Sequence, residues 1–182
     1  MNKPNRIFFT GAPGSRWSGI AQKIEAELDL NISDRTSERT YSHGEFSGHV
    51  GAYFGTGMEF PAKLDDATLD APYADPSPGK LHKSHEWAYM LEGIKALHPD
   101  DAIFLVYRPT QACFDWWKQA GGWDISYPNY DWYRDDETMF KKIDEQNRAI
   151  LKFGSSNGLT WQHVAGFDDI LIAFYTPGLF HG

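Results

Sequence analysis

The sequence predicts an α/β fold, a three-layer sandwich around a mostly parallel central sheet, and three observations lead there. Two apolar runs, Ile7-Phe8-Phe9 and Ile103-Phe104-Leu105-Val106, read as strands covered on both faces. Each is followed by a segment whose apolar residues recur at helical spacing. Strand-like and helix-like segments alternate along the chain, which is the pattern of a parallel sheet flanked by helices. In such a sheet, ligands collect at the carboxyl ends of the strands.

The first strand opens at Ile7 and runs into Gly11-Ala12-Pro13-Gly14-Ser15-Arg16-Trp17-Ser18. Ser18 to Leu30 then places Ile20, Ala21, Ile24 and Leu28 on one helical face, and a polar stretch from Asn31 to Arg39 follows. From Tyr41 to Lys80 the pattern dissolves into glycines, aromatics and prolines, which predicts a lid or substrate insertion at 41–80, or else a disordered or hairpin-containing one. Tyr53 and Phe54 within it are the candidate substrate contacts. Leu81 to His85 reads as a short strand or loop leading into a helix over Glu86–Leu97, ended by His98-Pro99.

Ala102 to Tyr107 is the clearest strand, and Arg108-Pro109 breaks it. Pro109 suits the first turn of a helix to Ala120, with Ala112, Phe114 and Trp117 facing inward and Gly121-Gly122 closing it. An aromatic belt from Trp123 to Tyr133 leads into a helix over Asp135–Phe153, carried by Met139, Ile143, Ile150 and Leu151. Leu159 to Val164 is a last strand, and Gly166 to Tyr175 reads as a short amphipathic ending. The acidic groups Asp65-Asp66 and Asp135-Asp136-Glu137 fit helix starts, where the positive end of the dipole favours them.

A chain of 182 residues, 41% hydrophobic and 15% aromatic, is long enough for one domain with a proper core, and 1–182 is read as a single unit. The formal charge of -8, from 17 Lys and Arg against 25 Asp and Glu, argues against a nucleic-acid scaffold, which needs a basic face, and leaves room for a small basic pocket. No apolar run is long enough for a signal core or a membrane span. The single Cys113 cannot form an internal disulfide, which fits a cytoplasmic location.

The glycine-rich turn after the first strand carries the strongest chemical signal. Gly11 and Gly14 allow conformations in which successive N–H groups converge on one oxyanion, and the helix that follows adds its positive end. The hydroxyls of Ser15 and Ser18 and the guanidinium of Arg16 supplement them. Gly11 and Ser18 fall on the first and last positions of the pattern G-x-x-x-x-G-K-[ST], but Arg16 and Trp17 replace its second glycine and its lysine. The blander alternative is a tight strand-to-helix turn with a serine cap. His82, His85 and Glu86 form too sparse a set to indicate a metal, and none is predicted.

Three segments in this order resemble the P-loop sulfotransferases, which move a sulfuryl group from 3'-phosphoadenosine 5'-phosphosulfate to a hydroxyl or amine. Gly11 to Ser18 resembles that family's 5'-phosphosulfate loop, of the form G-x-P-[KR]-S-G-T-[TS]. Lys83-Ser84-His85 resembles its Lys-Thr-His segment, and Val106-Tyr107-Arg108-Pro109 with Asp115-Trp116-Trp117 resembles its strand, Arg-x-Pro and helix. His163-Val164 with Phe167-Asp168-Asp169-Ile170 resembles the end of its core, a strand followed by an acidic pair.

The resemblance implies a P-loop nucleoside triphosphate hydrolase-like fold and a small-molecule or glycan acceptor. It implies His85 as general base, Lys83 and Arg16 as cations around the bridging oxygen, and Arg108 on a terminal phosphate. Gly11, Ala12, Pro13, Gly14, Ser15, Arg16, Trp17 and Ser18 would line the donor loop, without magnesium. Three departures stand out. Gly14 occupies the place of the loop's cation, Asp115 that of a phosphate-binding serine, and the family's C-terminal basic loop has no counterpart. A carboxylate at Asp115 would repel phosphate unless Arg108 or Lys118 neutralised it. The alternatives are a nucleotide or nucleoside kinase-like enzyme and a noncatalytic nucleotide- or anion-binding protein.

Overall fold

A computed structural model describes residues 6–30, 63–70, 79–124 and 134–176. Tyr53, Phe54, most of the 41–80 insertion, the polar stretch 31–39 and most of the aromatic belt lie outside the described residues.

The chain forms a five-stranded mixed sheet in the order β2-β1-β3-β5-β4. Strand β1 (Arg6–Gly11) lies parallel between β2 (Lys80–Lys83) and β3 (Ala102–Tyr107), with Phe9 opposite Lys83 on one side and Phe104 on the other. The parallel core therefore follows the sequence reading. The difference lies at residues 167–175, which form the nine-residue strand β5 (Phe167–Tyr175), antiparallel to β3 with Leu105 opposite Ala173. The short β4 (Gln162–Val164) pairs antiparallel with it through a turn at Ala165-Gly166, where Gly166 has φ 84°. What read as an amphipathic ending is a strand one position in from the sheet edge.

Alternation along the strands sends side chains to two cores. Ile7, Phe9, Phe104 and Val106 meet Trp17, Ile20, Ala21 and Ile24 of helix α1 (Trp17–Glu27) on one face. Phe8, Ile103 and Leu105 meet Leu91 and Ile94 of α3 (Leu91–Leu97) and Ile150 and Phe153 of α5 (Asp136–Ser156) on the other. Burying each such side chain contributes about 1.5–3 kcal/mol. Ala12, Cys113 and Trp117 of α4 (Thr110–Gln119), with Met139 and Ile143 of α5, form a third cluster beneath the glycine-rich turn. Inward residues of α4 are thus Cys113 and Trp117, while Ala112 and Phe114 are only half-buried.

Helix boundaries follow local chemistry. The helix read over Glu86–Leu97 divides at Met90 into a 3-10 turn, Glu86–Tyr89, and α3, because Ala88 and Met90 donate to the carbonyls three residues back. Asp135 caps α5 in a reciprocal box with Thr138, and Asp65 accepts from the Thr68 N–H as α2 (Asp66–Asp70) begins. Both acidic groups sit at helix starts as read. Helix α2 is tied to the base of β1 by Arg6, whose guanidinium grips both oxygens of Asp70 at 2.9 Å and Asp66 at 2.9 Å. Lys80, the last residue of the predicted insertion, belongs to β2. Among the described residues no helix is long and apolar enough to cross a membrane.

Candidate functional site

Three chain segments leave the carboxyl ends of the parallel strands side by side: the turn after β1, the continuation of β2, and the break after β3. Beyond the end of β2 the Ser84 N–H donates to the Phe9 carbonyl at 3.2 Å. That bond carries His85 alongside Gly11, and the imidazole Nδ1 hydrogen-bonds the Gly11 carbonyl. A carbonyl only accepts, so Nδ1 holds the proton and Nε2 is the basic nitrogen of the neutral ring. Lys83, opposite Phe9, is fully buried and His85 is 4% exposed.

The turn itself has two left-handed residues two positions apart, Gly14 at φ 78° and Arg16 at φ 62°. The Ser15 N–H between them donates to the Ala12 carbonyl at 3.0 Å. Left-handed residues within a turn are one component of the backbone nests that bind anions, although the Ser15 N–H itself is committed to the Ala12 carbonyl. Arg16 is the N-cap of α1 and makes no side-chain cap bond, so the capping serine of the bland reading is not used. Ala12, Pro13, Ser15, Trp17 and Ser18 are buried. Among the described residues the Ser15 hydroxyl has no hydrogen-bond partner. Trp17 turns its indole onto His85, with ring centroids 3.9 Å apart and planes at 27°.

Gly14 explains its own departure from the resembled loop. A Cβ there would lie 1.8 Å from the Cys113 carbonyl oxygen, so α4 leaves no room for a side chain in the place of the family's cation. Cations approach from β3 and α1 instead. Arg108 Nη1 donates to the Gly14 carbonyl at 3.2 Å, and its Nε donates to Asp169 at 2.6 Å. Arg16 lays its guanidinium between Trp116 and Phe167, 4.1 and 4.6 Å from their ring centroids. Its pKa is lowered by burial first and then by the neighbouring charge of Arg108, with Asp169 opposing. Arg16 therefore stands beside Arg108 on the α4–β5 side of the turn, and the acidic pair contributes Asp169 as their shared counter-ion.

Asp115 is exposed and accepts from the Gln111 amide at 2.8 Å. Neither expected neutraliser serves it, since Arg108 holds Asp169 and Lys118 holds Asp136 at 3.0 Å. The Cys113 thiol is buried, pushed up to about 12 by desolvation, and donates to the Arg108 carbonyl at 3.3 Å. Such a thiol is a packing group, not a nucleophile. His82 is buried beside Phe8 and Trp87, its pKa far below the ordinary value mainly because of that burial. Among the described residues no three His, Cys, Asp or Glu side chains gather as a metal site.

Two residues that the sequence reading passed over are Gln146 and Asn147 of α5, which donate to the carbonyls of His85 and Arg108. Their signal was available, because both fall on the helix face between Ile143 and Ile150. No protein-family profile, curated protein or solved structure matches this chain.

Proposed function

We propose that the chain is a sulfuryl transferase of the P-loop kind, using 3'-phosphoadenosine 5'-phosphosulfate as donor and a small-molecule or glycan hydroxyl or amine as acceptor. The observation that supports this reading is the hydrogen bond of His85 Nδ1 with the Gly11 carbonyl, which holds the imidazole against the glycine-rich turn. Transfer requires an in-line approach, a base for the acceptor proton, and positive charge at the leaving phosphate. Here the acceptor oxygen or nitrogen forms its bond to sulfur as the bond from sulfur to the bridging oxygen breaks. Nε2 of His85 takes the acceptor proton, and the departing electron pair goes to the nucleoside bisphosphate. The N–H groups of the turn and Lys83 receive that charge, while Arg108 and Arg16 serve a terminal phosphate.

Titration calorimetry with the sulfated donor and with its desulfated product tests the reading. Micromolar binding of both is expected, and absence of heat with either ends it. A second reading, a noncatalytic anion-binding protein, draws support from the Trp17 ring lying over His85 and the burial of Lys83. Under that reading His85→Ala leaves nucleotide binding intact and no wild-type turnover exists to be lost. A kinase-like reading would require magnesium-dependent binding of a nucleoside triphosphate, and Trp17 in the place of the loop lysine speaks against it.

A further inference from the structure

Helix α5 buries Met139, Ile143, Ile150 and Phe153, yet two adjacent amides interrupt that apolar face, with Gln146 1% and Asn147 2% exposed. Burying primary amides is unfavourable unless their hydrogen bonds are specific, and a methionine or leucine would fill the same space without desolvation. Their donors do have specific targets. Gln146 Nε2 reaches the His85 carbonyl and Glu86 Oε1, both at 3.1 Å. Asn147 Nδ2 reaches the Arg108 carbonyl at 2.8 Å and the Thr110 hydroxyl at 3.3 Å. Among the described residues the amide oxygens of both have no hydrogen-bond partner, while the donors engage the neighbouring chain.

Successive helix residues diverge by about 100°, so one turn of α5 reaches two separate strand ends. Its neighbours act on the same segments: Lys142 pairs with Glu86 at 2.8 Å, and Asp144 accepts from the Thr110 hydroxyl at 3.2 Å. We infer that Gln146 and Asn147 are positioning residues which fix the main chain at His85 and at Arg108 independently, one setting the base and the other setting the donor-phosphate contact. This rests on the sulfuryl-transfer reading for the roles of His85 and Arg108. It adds a division of labour along a single helical turn.

The test is a crossed pair of variants, Gln146→Met and Asn147→Leu, read by two probes on the full chain. Calorimetry with the desulfated donor nucleotide reports the Arg108 side, and the NMR titration of the His85 ring reports the other. Gln146→Met is expected to move the His85 midpoint by about half a pH unit or more and leave nucleotide affinity unchanged. Asn147→Leu is expected to weaken the nucleotide about tenfold and leave the His85 titration unchanged. If either variant fails to fold, Gln146→Leu and Asn147→Ala remove the donors without adding a charge. Loss of melting temperature with both probes unmoved, or with both moved by both variants, overturns the division of labour while wild-type binding leaves the transfer reading standing. No binding by the wild-type chain overturns the transfer reading itself, and the assignment of roles falls with it.

Discussion

Gly14 and Cys113 meet main chain to main chain, so closely that a methyl group on Gly14 would stand 1.8 Å from the Cys113 carbonyl oxygen. Its φ of 78° compounds the demand for glycine. Gly14→Ala should therefore displace the turn from α4 and lower the melting temperature sharply. Gly19, inside α1, has nothing among the described residues within 4 Å of an added Cβ, and Gly19→Ala should stabilise by about 1 kcal/mol. Thermal melts of the two variants check both, and equal shifts would refute the packing argument.

Arg16 trades backbone strain for stacking. A non-glycine residue at φ 62° costs roughly 1 kcal/mol, while a guanidinium over an aromatic ring returns about 0.5–1 kcal/mol. With two such rings, Trp116 and Phe167, Arg16→Gly should change stability by less than about 1 kcal/mol and weaken binding of inorganic sulfate several-fold. Urea unfolding and a sulfate titration separate the two effects. A large loss of stability with unchanged sulfate binding would make Arg16 a structural residue.

His82 gives a pH dependence of known sign. Burial, with Arg6, His98 and Lys80 nearby, holds its folded pKa well below 6.5, so the unfolded chain binds the proton first. That proton favours unfolding, and stability is lost as pH falls below the unfolded value, by up to about 1.4 kcal/mol per pH unit. Urea midpoints at neutral and mildly acidic pH should therefore differ more for the wild type than for His82→Leu. Parallel profiles would remove His82 as the source.

Arg6 holds Asp66, Asp70 and Asp101 together at the base of the sheet, its side chain 13% exposed and that of Asp101 6%. Asp101 has a raised pKa chiefly from desolvation, with the Arg6 N–H and guanidinium opposing. Arg6→Met should cost about 2–4 kcal/mol in urea unfolding, because it leaves a buried carboxylate without its cation. Adding Asp101→Asn should restore part of that loss. A change below about 0.5 kcal/mol would mean that solvent already screens the cluster.

Legibility in the sequence tracked whether a signal was local. Ile103 to Val106 announces a strand because four consecutive apolar residues need cover on both faces, and the structure buries all four. The Asp135 and Asp65 caps were readable because their targets lie three residues away. β5 was missed because Asp168-Asp169 interrupts its apolar pattern, although Ala165-Gly166 is a two-residue hairpin turn and was its available signal. Arg108 with Asp169, separated by 61 residues, and Arg16 between Trp116 and Phe167 depend on chain reversal that no spacing records. The same holds for Gln146 and Asn147, whose polarity inside an apolar face is visible but whose targets are not.

The place of β5 governs how this protein is born. β3 presents one whole edge to residues 167–175, so during synthesis that edge stays unmated until those residues have left the ribosome. A nascent chain halted before Phe167 would carry Phe104 and Val106 without their antiparallel partner strand. An unpaired edge of that kind invites association with other chains, and the sheet on which the glycine-rich turn stands is complete only when β5 has docked.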